Sequence, residues 1–163
     1  MADILVTWFS RSGSTEQAAR ALAGRLGADA EPILTAGSYA GAAGFVRGVW
    51  QSLLRRPPAA RTGADPTAYR LVIVGTPVWA GQPSAPVRSY LRQYGPRIRS
   101  LAAFCVSGSG APYDEVFDEI EDLTGSELAA TLSLAQRQVL AGEADAALDA
   151  FAGRLRGDLA KAA

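Results

Sequence analysis

Leu71-Val72-Ile73-Val74-Gly75-Thr76-Pro77-Val78-Trp79-Ala80-Gly81 passes from an unbroken apolar run into small, polar and turn-forming residues. Four consecutive aliphatic side chains, three of them β-branched, fit a short strand covered on both faces, as in a parallel sheet. A helix is expected next, from about Ser84 to Tyr94. The stretch reads as strand, loop, helix, and that triplet recurs on both sides of it.

Upstream, Ile4 to Phe9 is β-branched and aromatic and reads as a first buried strand. A helix follows from Thr15, with Ala18, Ala19, Leu22, Ala23 and Leu26 on one face and Gly27 as its stop. Ala30 to Leu34 is a weaker strand, and Pro32 suits it to an outer position. Tyr39 to Leu54 places Phe45, Val49, Trp50, Leu53 and Leu54 at helical spacing, to cover the sheet. Pro57-Pro58 ends it, and Ala59 to Pro66 reads as a loop.

Downstream, Leu101 to Val106 is a fourth strand with Ser107 to Gly110 as its exit. A helix over about Tyr113 to Leu123 buries Val116, Phe117, Ile120 and Leu123. A short strand at Ala129 to Leu134 precedes a final helix from about Glu143 to Lys161, striped by Leu148, Phe151, Leu155 and Leu159. Five strands alternating with five helices predict a parallel α/β sheet with helices on both faces. No repeat or linker divides residues 1–163, so one domain is expected.

Composition narrows the chemistry. The 163 residues hold 16 Lys+Arg against 16 Asp+Glu and no His. Balanced charge disfavours a nucleic-acid-binding role. Without His there is no His general base, no His-activated nucleophile and no His metal ligand. A lone Cys105 forms no internal disulfide and reads as a small buried side chain. No catalytic residue and no metal site stand out, so the demanding chemistry is expected of a bound group. The start of the chain lacks the pattern of a secretion signal, and no apolar run reaches about 18 residues. A cytoplasmic protein without a membrane span is the expectation.

In a parallel sheet of this kind, ligands sit beyond the carboxyl ends of the strands. The first such end carries Ser10-Arg11-Ser12-Gly13-Ser14-Thr15, four hydroxyls and a glycine directly before a helix. A helix start offers unpaired N–H donors and positive dipole charge, and the hydroxyls add donors. Such a turn suits a phosphate monoester of about −1.5 to −2 charge. The plain alternative is capping of the helix by Ser12 or Ser14. Arg11 either approaches the phosphate or points into water. The pattern is neither GxxxxGK with Ser or Thr nor GxGxxG, so neither a triphosphate nor a dinucleotide loop is indicated. The second end, Thr76, Pro77, Val78, Trp79, Ala80 and Gly81, adds an indole. An exposed Trp79 would stack on a flat heterocycle for about 0.5–1.5 kcal/mol beyond area burial; otherwise it packs beneath the loop. The third end, Ser107, Gly108, Ser109 and Gly110, lets backbone approach a flat ring closely.

These segments resemble the flavodoxin-like family. Ser10 to Thr15 is similar to the flavodoxin phosphate loop, Ser/Thr-x-Thr-Gly-x-Thr, with Ser12 keeping the hydroxyl where the usual form has Thr. Tyr69 to Gly81 resembles the third strand and second flavin loop. The resemblance implies a doubly wound, three-layer flavodoxin-like sandwich with a five-stranded parallel sheet of order 2-1-3-4-5, of the short-chain type, binding FMN. The phosphate would lie on Ser10, Ser12, Ser14 and Thr15. The ring would lie between Pro77–Gly81 and Ser107–Gly110, beside Trp79 and, secondarily, Tyr113.

FMN in such a site implies one of two functions. One is an electron-transfer protein serving a redox partner protein. The other is an NAD(P)H reductase passing electrons to a quinone-like acceptor. Zero net charge is unlike the acidic carriers, yet Asp114, Glu115, Asp118, Glu119, Glu121, Asp122 and Glu127 form an acidic run after the third loop. That run is either a docking face for a basic partner or a solvated helix. Arg47, Arg55, Arg56, Arg61 and Arg70 gather around the second helix and its exit, either for an anionic partner or for water.

Overall fold

The computed structural model describes residues 2–35 and 60–161. The helix expected over Tyr39–Leu54, with Arg47, Arg55 and Arg56, lies outside the described residues. The elements are β1 (Ile4–Trp8), α1 (Ser14–Leu26), β2 (Asp29–Pro32), β3 (Leu34–Thr35), β4 (Ala60–Arg61), β5 (Leu71–Trp79), β6 (Gln82–Pro83), α2 (Ala85–Tyr94), β7 (Leu101–Ser107), α3 (Asp114–Thr124), β8 (Thr131–Ala135), α4 (Gln136–Ala141) and α5 (Asp145–Lys161).

Five strands form one parallel sheet in the order β2-β1-β5-β7-β8. Counting those strands along the chain gives 2-1-3-4-5, the expected order. The strand direction of growth reverses between β1 and β5, which opens a crevice at their carboxyl ends. β1 and β7 are buried along their whole length, which is why their sequences are continuous apolar runs rather than alternations.

Alternation reappears in which face each residue serves. Ile4, Val6 and Trp8 join Leu71, Ile73 and Phe104 beneath α1 and α5, packed on Ala18, Leu22, Leu148, Phe151 and Leu155. Leu5, Val72, Val74, Ala103 and Cys105 face the other way, onto Val87, Tyr90, Leu91, Val116, Phe117 and Ile120 of α2 and α3. Each fully buried Leu or Phe in these layers contributes about 1.5–3 kcal/mol. Arg25 adds a polar clasp at the rim, reaching Asp145 and Asp149 of α5 at 2.6 Å each.

Several boundaries differ from the sequence reading. β5 does not stop at Val74 but runs nine residues to Trp79, because β7 continues to pair with it as far as Pro77 opposite Val106. It then folds back antiparallel as β6, with Val78 opposite Pro83 and Trp79 opposite Gln82. Most of the expected second loop is therefore strand and hairpin. The outer strand expected over Ala30–Leu34 breaks at Ile33, whose N–H donates to the Trp8 carbonyl at 2.6 Å, and Leu34–Thr35 pairs instead with Ala60–Arg61. The segment expected as a loop over Ala59–Pro66 thus contains β4. α4, six residues long, is too short for its periodicity to register. Among the described residues no helix is long and apolar enough to cross a membrane.

Candidate functional site

The turn leaving β1 is shaped by Gly13, whose φ of 95° lies in the left-handed region that a side chain disfavours. Its N–H donates to Ser10 Oγ at 3.0 Å, closing the turn on itself. Gly13 is the N-cap of α1, and no side chain caps the helix. Capping by Ser12 or Ser14, the plain alternative, is therefore not what these hydroxyls do. Ser12 and Arg11 are exposed, whereas Ser14 and Thr15 are buried in the first helical turn. The hydroxyls of Ser12, Ser14 and Thr15 have no hydrogen-bond partner among the described residues. Uncapped first-turn amides beside three uncommitted hydroxyls form a donor-rich, acceptor-seeking end.

The second segment behaves differently. Thr76 is fully buried, and its hydroxyl accepts from the Ser84 N–H at 2.9 Å while donating to the Pro77 carbonyl at 2.9 Å. It braces β5 against the start of α2. The hairpin turn holds Ala80 at φ 51° and Gly81 at φ 74°, both left-handed, as a two-residue type I′ connection requires. Trp79 is only 4% exposed and meets Phe9 edge-on at a centroid distance of 5.5 Å. The freely exposed indole considered from sequence is not found: the ring packs under the hairpin and only borders the crevice.

In the third segment the side chains stiffen the loop. Ser107 Oγ accepts from the Gly110 N–H at 2.9 Å and Ser109 Oγ from the Ala111 N–H at 3.2 Å. Ser109 Oγ and the hydroxyl of half-buried Tyr113 lie 3.3 Å apart. Gly108 is exposed, with no heavy atom within 4 Å of where a Cβ would stand.

All three segments border one small cleft of about 90 Å³. Arg11, Ser12, Ser14 and Thr15 line one end; Pro77, Val78, Trp79, Ser107 and Gly108 line the rest. Ser10, Gly13, Thr76, Ala80, Gly81, Ser109, Gly110 and Tyr113 stand behind or beside that lining rather than in it. Two lining residues were not singled out from sequence, Val106 at the end of β7 and Gln136 at the start of α4. Gln136 was hidden because α4 itself was not legible. A wider hollow of about 270 Å³ lies at the opposite end of the strands, floored by Leu71, Leu155 and Leu159. It lacks the convergent hydroxyls of the cleft, and its Arg70 already reaches Asp3 and the Leu159 carbonyl.

The fold matches solved structures of known type. A flavoprotein from Lactobacillus acidophilus NCFM, in complex with FMN, aligns with a TM-score of 0.69 at 18% identity, covering 86% of this chain and 97% of that one. The fold is flavodoxin-like. Oxidised flavodoxin 2 from Bacillus cereus aligns at a TM-score of 0.57 and 18% identity over 96% of this chain and 99% of its own. A flavodoxin from Fusobacterium nucleatum, bound to flavin mononucleotide, aligns at 0.57 and 10% identity over 95% and 97%. No family model and no curated protein sequence matches the chain. In the flavodoxin-like frame the cleft lies at the crevice between β1 and β5, where the sheet changes its winding direction.

Proposed function

We propose that the protein binds FMN in this cleft and works as an electron-transfer protein. The observation that carries the reading is the donor set at the start of α1: uncapped amides with the partnerless hydroxyls of Ser12, Ser14 and Thr15. A phosphate monoester supplies what that set lacks, namely several charged acceptor oxygens at one point. Arg11, on the rim, adds positive charge. The apolar surfaces of Pro77 and Val78, with the open backbone at Gly108, suit one edge of a flat ring. FMN would supply reversible one- and two-electron chemistry.

The electron-transfer reading is favoured over a substrate reductase by the acidic surface beside the cleft. Cys105 is fully buried within β7, and that burial pushes its thiol up, keeping it protonated and unreactive. The exposed carboxylates of Asp114, Glu115, Asp118 and Asp122 follow the third segment directly and suit a basic partner protein.

The test has two parts. Purified protein loaded with FMN should show the two visible flavin bands, shifted from those of free FMN. Mixed in air with NADPH and benzoquinone, it should consume NADPH no faster than free FMN does. Rapid turnover would replace the carrier with an NAD(P)H:quinone-type reductase, and unshifted flavin bands would remove FMN from the account.

A further inference from the structure

We propose that Arg88 is a positioning residue that fixes the spacing of the two segments assigned above to the flavin ring, an inference that rests on the FMN reading. Arg88 ends the first turn of α2, its N–H donating to the Ser84 carbonyl at 3.0 Å. Its side chain is only 2% exposed, so a full positive charge has been taken out of water. Burying a guanidinium is unfavourable unless its donors are matched by acceptors.

Two of its contacts lead to different ring-side segments. Nε lies 2.7 Å from Glu119 Oε1 on α3, and Nη1 lies 3.4 Å from Gln82 Oε1 on β6. Gln82 is the register partner of Trp79 across the hairpin, so it moves with Pro77–Gly81. Glu119 sits on the second turn of the helix that Ser107–Tyr113 leads into. One planar fork therefore spans from the hairpin to the helix that anchors the opposite loop. Glu119 joins α2 to α3, and the reach to Gln82 ties in the hairpin as well. Lysine, a point charge on a flexible stem, keeps one such contact but not both.

Flavin titrations of the apoprotein test this. In Arg88→Lys and in Gln82→Ala, the Kd values for FMN and for riboflavin should rise together, by roughly tenfold. The common rise follows because the ring, not the phosphate, loses its frame. The visible circular dichroism of bound flavin should change in parallel, a signature that loss of helix packing alone would not produce. Folding is checked by near-ultraviolet circular dichroism; if Arg88→Lys fails to fold, Gln82→Ala decides by the same criterion. Affinities for both flavins within about twofold of the parent, with unchanged visible dichroism, overturn the assignment. So does a loss confined to FMN, which would put the effect at the phosphate end. If the parent chain itself binds no FMN, the cofactor reading is what fails.

Discussion

Gly75 and Phe104 are register partners on β5 and β7, and the Phe104 ring lies across the glycine so closely that a Cβ there would meet its Cζ at 2.3 Å. The ring belongs to the layer under α1 and α5 and is fully buried. Gly75 is thus a packing glycine, set one residue before the Thr76 brace. Gly75→Ala is expected to lower unfolding free energy in urea by about 1–3 kcal/mol, the usual cost of forcing a methyl into a filled core. Adding Phe104→Leu should recover part of that loss, because the two sites share one space. Full additivity of the two substitutions would show that the clash is relieved elsewhere.

Ala80 occupies a left-handed position that glycine adopts without strain. Ala80→Gly is expected to raise stability by about 0.5–1 kcal/mol, the relief of strain exceeding the added chain entropy of the unfolded state. The readout is the urea midpoint. A fall in the midpoint would mean that the hairpin gains more from a stiff turn than it loses to strain.

Tyr69 links the segment before β5 to the outer strand β2, its hydroxyl donating to Asp29 Oδ2 at 2.9 Å. Burial, and then the Asp29 bond, push its phenol up from 10.0 to about 12. The folded state therefore holds this proton more tightly than the unfolded chain does. Tyr69 contributes its full stabilisation below pH 10 and loses it as pH rises toward about 12. Cys105 and Tyr90 are raised by burial as well and add to the alkaline decline. Tyr69→Phe should cost about 1 kcal/mol at neutral pH. It should also make the decline in stability between pH 10 and 12 shallower. An unchanged alkaline slope would contradict the assignment.

How far the sequence could be read depended on whether local pattern or distant pairing set each element. β1, β5 and β7 were legible because strands covered on both faces read as near-continuous apolar runs. Ser10 to Thr15 stood out because four hydroxyls before a helix exceed what one cap needs. The hairpin β5–β6 was not legible, since Pro77, Gly81 and Pro83 read as breakers. Its extension comes from the Pro77–Val106 pairing, which joins residues far apart in the chain. The burial of Trp79 likewise depends on Phe9, seventy residues upstream, which no local pattern reports. The Gln82–Arg88–Glu119 connection joins three elements, and from sequence Arg88 is merely one basic residue on a helix.

The central claim is that the start of α1 grips a phosphate, and a paired titration tests it most directly. FMN and riboflavin differ only in that group, so apoprotein should quench FMN fluorescence saturably at one site and bind riboflavin more weakly. In Ser12→Ala combined with Thr15→Val, the FMN affinity should fall about tenfold or more, while riboflavin binding stays nearly unchanged. Equal affinity of the parent for the two flavins, or equal losses for both in the variant, would contradict the account.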